Sequence, residues 1–431
     1  MDFESITEFL SNKTVLVTGA TGFIAKILVE KILRVQPDVK KLYLLVRARD
    51  AQAADVRLQD EVLGKELFKV LKEKLGTHFE AFMSEKISVV AGDASYENLG
   101  LTAKQMKHMY ESIDIVINVA ATTKFDERYD VALGVNTLGA KNVVKFAKTC
   151  CNIQLLIHVS TAYVCGEKKG LISESSYAMG ETLNGVKGLD IDAEKKLAEQ
   201  TLSNLKAKDL PEKEIRLMMK YLGNQRAKHY GWPNTYVFTK AMGEMLVGQF
   251  RGNLPVVIMR PTIVCSTMKE PFPGWVEGCS RRLERRERKG TTAEATAAVK
   301  GDGGSLISDD WRTIDSVAVT YGKGILSIFP ADRNTVLDLI LLFVTRMGRS
   351  DLQRTLFNFD KKLKIAMKLV DLYKPYLFFK GIFVDTNTEN LIKTARENGL
   401  DEDVFNFDPL CINWKDYFIN IHIPSIVKYL F

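Results

Sequence analysis

Short apolar runs and amphipathic stretches alternate along the first 160 residues. Thr14–Thr18 (TVLVT), Leu42–Val46 (LYLLV), Ile87–Ala91 (ISVVA), Asp114–Asn118 (DIVIN) and Leu155–Val159 (LLIHV) are continuous apolar runs, β-rich and too short for helices, and each predicts a buried strand. Between the first two, residues 22–34 place Ile24, Ile27, Leu28 and Ile32 on one helical face; Val135–Lys148 reads as a further helix. Pro255–Met259 (PVVIM) is the expected sixth strand. Strands without polar alternation, separated by helices, imply a parallel sheet covered on both faces. The expected fold class is therefore α/β, a doubly wound parallel sheet of the Rossmann type, followed by a smaller helical C-terminal domain.

The pattern changes after the fifth strand. Residues 167–232 are strongly charged, with helical periodicity over 192–207 and 211–229, and read as a helical insertion at the substrate mouth or as a solvent-facing hairpin. Residues 279–311 are rich in Arg, Ala, Gly and Thr with almost no large apolar side chain, a composition that cannot bury enough surface to fold alone. The expected division is a catalytic domain over 1–278, a disordered insert over 279–311, a shortened segment over 312–350 and a C-terminal domain over 351–431.

Composition narrows the setting. Hydrophobic residues make up 46% and charged residues 26% of the 431 residues, enough for a substantial core. The net charge of +7 suits an anionic ligand, an anionic membrane surface or an ordinary solvated exterior. No basic tract interleaved with aromatics marks a nucleic-acid partner. Six cysteines without a CxxC pair, and five scattered histidines, argue for reduced thiols and against a metal site. The first thirteen residues have neither an apolar signal core nor a transit-peptide composition, and no run approaches the ~20 residues of a membrane span. The expected location is cytosolic, with any membrane contact peripheral.

The chemistry begins after the first strand. Gly19-Ala-Thr21-Gly22-Phe23-Ile24-Ala25 has small residues where a tight turn, a close backbone approach and helix–strand packing demand them, and it opens a helix whose free N–H groups attract phosphate. The strand before it and the amphipathic helix after it supply the context this dinucleotide-binding loop requires. At the second strand's end, Arg47 and Arg49 suit a 2′-phosphate and so favour NADPH, although Asp50 is the residue type that meets a 2′-hydroxyl. Asp93 suits adenine recognition, and Asn118 to Ala120 let the cofactor pass close to the backbone.

Tyr236 and Lys240 lie four residues apart, one helical turn, on the same side. A cation beside a phenol favours the phenolate, and the tuned phenol can protonate a carbonyl oxygen as hydride reaches carbon. A hydroxyl at the fifth strand's end would steady the developing oxyanion. Ser160 and Thr161 both stand there, with a mere turn cap as the bland reading; the run STAYVCG resembles the catalytic turn of extended reductases, which implies Thr161 first and Ser160 second. Pro261 and Thr262 are expected near the nicotinamide. Pro271-Phe-Pro-Gly-Trp275 either lines a substrate channel or forms a structural corner.

The runs TVLVTGATGFIAKILVEKILRVQPDVKKLYLLVRA, VSTAYV, YVFTKAMGE and RPTIV resemble plant fatty acyl-CoA reductases, extended short-chain dehydrogenases/reductases also called male-sterility proteins. Tyr373–Tyr376, Asp385–Glu389, Phe407–Pro409 and Asn413–Tyr417 resemble that family's C-terminal domain. The resemblance covers roughly residues 8–275 and 360–430. It implies reduction of a long-chain acyl-CoA to a primary alcohol by two NADPH through an aldehyde-level intermediate, for wax, suberin or pollen-wall lipid. It implies Tyr236 as proton donor, Lys240 as its tuning cation and ribose ligand, and Thr161 at the oxyanion. A lipid substrate points to the cytosolic face of the endoplasmic reticulum. Relative to that family, residues 279–310 interrupt the chain and the stretch after Gly324 is short. Two alternatives therefore stand beside the active reductase: a splice variant or paralogue that binds NADPH without turnover, and a reductase of another carrier-bound thioester or ketone.

Overall fold

The computed structural model describes residues 6–277, 374–376, 378–399 and 402–430. The expected insert at 279–311, including its basic run, and the segment at 312–350 lie outside the described residues. The described residues form eight strands: β1 (Thr14–Thr18), β2 (Lys41–Val46), β3 (Ile87–Ala91), β4 (Ile115–Asn118), β5 (Leu155–Val159), β6 (Gly170–Ile172), β7 (Val256–Met259) and β8 (Gly381–Phe383). Six form one parallel sheet in the order β3-β2-β1-β4-β5-β7. The chain thus winds outward from β1 in one direction and then from β4 in the other. That reversal opens a crevice at the carboxyl ends of β1 and β4, the place where open α/β sheets bind ligands.

Alternation along β1 explains the continuous apolar pattern. Val15 and Val17 enter one core with Leu42, Leu44, Ile115 and Ile117, covered by helix α1 (Phe23–Val35) through Val29, Ile32 and Leu33. Leu16 enters a second core with Tyr43, Leu45, Val116 and Leu156, covered by helix α2 (Gly139–Thr149) through Val143, Val144 and Ala147. Both faces of each strand are desolvated, so neither parity can be polar. The outermost strand is the exception: β7 buries Val256 and Ile258 more deeply but leaves Val257 and Met259 about half exposed.

The charged section after β5 folds as two helices, α3 (Ile191–Ala207) and α4 (Glu212–His229). They are not a detached hairpin. Glu194 of α3, 3% exposed, accepts a 2.7 Å hydrogen bond from the Tyr129 hydroxyl and a two-nitrogen ion pair from Arg226 of α4. This buried network pins both helices to the sheet's helical layer.

The chain packs as two compact units. Of the described residues, one holds 6–166, 174–277 and those from 385 onward, the other 167–173 and those between 374 and 384. The boundary expected at 350/351 lies outside the described residues, and the described residues from 385 onward join the unit of the six-stranded sheet. There Tyr417 donates to the Ser266 carbonyl at 2.8 Å, and His422 Nδ1 lies 3.0 Å from the Ser266 hydroxyl. In the second unit β6 and β8 pair in parallel, Gly170 opposite Gly381 and Ile172 opposite Phe383. No helix among the described residues is long and apolar enough to cross a membrane.

Candidate functional site

The phosphate loop is shaped by what it cannot accommodate. Gly19 has φ +68°, and a Cβ there would sit 2.7 Å from Cα and N of Ala120. Only glycine lets the β1 turn approach the β4 turn this closely. Gly22 is extended and caps α1 without a side-chain hydrogen bond, so the first N–H groups of α1 lack an intrahelical acceptor. Thr18 donates to Asn118 Oδ1 at 2.6 Å and accepts from the Ala120 N–H at 3.2 Å. Trp275 stacks on Phe23 with centroids 4.9 Å apart and rings nearly parallel. The Pro271–Trp275 loop is thus a packed corner bracing the start of α1. These features make a cradle that fits a dinucleotide pyrophosphate.

The other expected cofactor residues distribute unevenly. Asn118 turns its amide inward to Thr18 and to His158 Nδ1, leaving its backbone as its contribution to the crevice. Asp93 holds a local turn with one oxygen, accepting from the Ser95 N–H and hydroxyl at 2.9 and 2.8 Å. At the end of β2, Arg47 is exposed, while Arg49 is 86% exposed and paired with Asp50 at 3.0 Å. Thr262 is exposed, and Pro261 is partly buried, its carbonyl accepting from the Ala162 N–H at 2.9 Å.

A further cation was not legible in the sequence. Arg57 is braced by both Glu61 oxygens at 2.8 and 3.0 Å, donates to the Arg47 carbonyl at 2.5 Å and lies 3.5 Å from the Thr21 hydroxyl. It bridges the β2 end and the phosphate loop. In the sequence it resembles an ordinary i,i+4 surface pair.

The reactive pair stands on helix α5 (Thr235–Phe250), capped by Asn234. This helix is apolar nearly all round because it is enclosed: Phe238 faces the rings of Tyr129, Tyr230 and Trp232. Gly243 is required, since a Cβ there would meet the Asn136 carbonyl oxygen at 2.4 Å. Tyr236 remains partly open, with the Phe125 ring 5.8 Å away, and the Thr161 hydroxyl hydrogen-bonds it. Ser160, two residues after buried His158, has a buried hydroxyl with no hydrogen-bond partner among the described residues. The structure thus brings together Tyr236, Thr161 and Lys240, and turns Ser160 away into the interior.

Lys240 is 1% exposed and donates to the Val159 carbonyl at 2.7 Å. Burial lowers its ammonium to about 8, an effect Glu244 opposes. Burial likewise pushes the Tyr236 phenol up to about 12, against the hydrogen bond from Thr161. The expected depression of Tyr236 by Lys240 is therefore absent from the free protein: desolvation dominates, and the ammonium is held at Val159. His158, fully buried beside Lys240, is held well below the ordinary imidazole range and is neutral.

Asn136 is a second unforeseen organiser. Its amide binds both the N–H and carbonyl of Thr122, at 2.9 and 3.1 Å, and donates to the Thr239 hydroxyl at 3.0 Å. It clamps the loop after β4 to α5. The π-helical turn Leu133–Leu138 presents it there, where periodicity predicted an unbroken helix from Val135.

Burying Lys240 has a measurable consequence. Between pH 8 and 10.5 the unfolded chain, with lysine at its ordinary value, binds more protons than the folded one, so stability contributed through Lys240 rises with pH across that window. Lys240→Met should be more stable than the wild type at pH 7, by on the order of 1–3 kcal/mol. The gap should narrow by pH 10, as urea denaturation of both proteins would record. A constant gap would mean that the buried lysine is not strained by its charge.

The profile of the male sterility protein family matches residues 17–284, and a second male sterility profile matches residues 335–431. An alcohol-forming fatty acyl-CoA reductase of Simmondsia chinensis is 43% identical over 518 aligned positions, covering 99% of each chain. Fatty acyl-CoA reductase 1 of Arabidopsis thaliana is 42% identical over 516, covering 98% of each. These alignments are longer than the 431 residues of the chain, so both relatives carry residues that it lacks. The terminal R domain of the myxalamid biosynthetic pathway is similar over 59% of this chain and 50% of that one, with 24% identity and a TM-score of 0.40.

Proposed function

The chain belongs to the male sterility protein family and is an oxidoreductase with a nicotinamide-binding Rossmann fold; from that premise we propose that it reduces long-chain acyl-CoA to the primary alcohol with NADPH. The observation that carries the proposal is the convergence of Tyr236, Thr161 and Lys240 beside a glycine-shaped phosphate cradle.

When bound, the coenzyme supplies hydride. The N-terminus of α1, from Gly22 to Ile24, would hold its pyrophosphate, and Arg57 with Arg47 would meet the 2′-phosphate. The Tyr236 hydroxyl donates a hydrogen bond to the thioester carbonyl oxygen and stabilises the charge that grows there, with Thr161 steadying both. The hemithioacetal alkoxide so formed would re-form its carbonyl and expel CoA as the thiolate, which takes a proton from solvent, to give the aldehyde. In a second round, with a fresh coenzyme supplying hydride to the aldehyde carbon, Tyr236 would give its proton to the oxygen, the alcohol would leave and the phenolate would be reprotonated from solvent. Lys240 carries the positive charge that favours a phenolate once the proton has gone, and holds the ribose. Products of this class serve wax, suberin and pollen-wall lipid, and so apolar a substrate suits peripheral attachment to the endoplasmic reticulum.

Incubation of purified protein with NADPH and a panel of acyl-CoAs, with lipids identified by mass, tests this. Fatty alcohol at one or more chain lengths is expected, and no lipid product from any acyl-CoA overturns it.

A second reading has its own support. The two family profiles leave residues 285–334 uncovered, and the relatives are longer. A chain altered on its substrate side would bind NADPH without turning it over. Tight NADPH binding combined with no oxidation at any chain length would select this reading.

A further inference from the structure

The second compact unit contains a cleft of about 510 Å³, within the roughly 300–1,000 Å³ range of small-molecule sites. Its lining includes Lys169, Lys374, Lys380, Glu167, Phe378 and Phe379. β6 and β8 build it. They run in parallel with Gly170 opposite Gly381, which puts Lys169 and Lys380, each one residue earlier, at adjacent register positions. The Gly170 N–H donates to the Lys380 carbonyl at 3.2 Å and extends the pairing to that point. Lys374 adds a third ammonium. Like charges set side by side across strands oppose folding unless something neutralises them. Among the described residues none of the three lysines forms an ion pair, although Glu167 shares the cleft.

The aromatic part is also specific. Phe379 stacks on Phe383 at 5.3 Å and is held in place, whereas Phe378 is 46% exposed. Three unpaired ammonium groups beside an open aromatic face match a ligand with several phosphates and a flat base. Phosphate supplies the missing counter-charge and the base stacks on the ring.

We infer that this cleft binds the 3′-phosphorylated adenosine diphosphate end of coenzyme A; the choice of coenzyme A among such nucleotides rests on the acyl-CoA reading above.

The test is calorimetric titration of the full chain with free CoA and with 3′-dephospho-CoA, alongside reduction of a fatty aldehyde, which carries no CoA. The variants are the triple Lys169→Ala, Lys374→Ala, Lys380→Ala and the single Glu167→Gln. All four side chains are exposed, so the variants should fold. Wild type should bind CoA more tightly than dephospho-CoA. The triple variant should lose about tenfold or more in CoA affinity, as three partly solvated charge contacts give together. Glu167→Gln should bind CoA more tightly. Fatty aldehyde turnover should be the same in the triple variant as in wild type.

Unchanged CoA affinity in the triple variant overturns the inference, as does absent CoA binding in wild type. Loss of binding to phosphatidylserine vesicles with CoA affinity retained would assign the lysines to a lipid headgroup and overturn it as well. Lysine-dependent CoA binding without reduction of any acyl-CoA or aldehyde would uphold the cleft and reject the proposed activity.

Discussion

Tyr236→Phe should lower kcat for aldehyde and acyl-CoA reduction by roughly 10²–10⁴-fold, the usual contribution of a positioned proton donor. NADPH affinity should stay within about twofold, because the change removes one oxygen from a ring still packed near Phe125. Thr161 and Ser160 then separate cleanly. The Thr161 hydroxyl bonds the phenol, so Thr161→Val should lose on the order of 10²-fold in kcat. The Ser160 hydroxyl is buried without a partner among the described residues, so Ser160→Ala should leave kcat nearly unchanged and cost no stability. Stopped-flow oxidation of NADPH on each variant gives both kcat and coenzyme affinity. Wild-type turnover in Tyr236→Phe would reject the assignment of this pair, and a Ser160 effect larger than that of Thr161 would exchange their roles.

Arg57→Ala should weaken NADPH by about 10–100-fold and NADH by less than about threefold, the loss expected for a charge-assisted contact to phosphate. The guanidinium is preorganised by Glu61 and by the Arg47 carbonyl, so little entropy is spent in aiming it. Arg47→Ala should act in the same direction, through a less constrained side chain. Arg49→Ala should matter least, since Arg49 is 86% exposed and already paired with Asp50. Coenzyme titrations by fluorescence on the three variants test the ranking. Equal losses of NADPH and NADH would remove the 2′-phosphate role, and an Arg49 effect exceeding that of Arg57 would move the site outward.

Much of this was legible in the residues themselves. TVLVT, LYLLV and DIVIN are apolar at both parities, and only a strand desolvated on two faces requires that. Gly19, Gly22 and Ala25 announce a turn that excludes side chains, and Tyr236 with Lys240 announces one helix face. Such signals are local: backbone sterics and helical or strand periodicity impose them within a few residues.

Other features belong to the tertiary structure alone. Thr18 meets Asn118 one hundred residues away, and Asn136 reaches Thr239 across a similar span, because parallel strand order, not sequence proximity, makes them neighbours. Arg57 became a coenzyme candidate only when its helix folded back over the β2 end. The neutral state of His158, the low ammonium value of Lys240 and the high phenol value of Tyr236 arise from desolvation, which no spacing encodes. Nor did charge pattern separate the lysines of the cleft from solvated ones, until β6 and β8 set Lys169 and Lys380 side by side. Local sterics and periodicity wrote the strands, the turn and the reactive pair into the sequence. Long-range packing and the exclusion of water decided which side chains share a site and in what charge state they wait there.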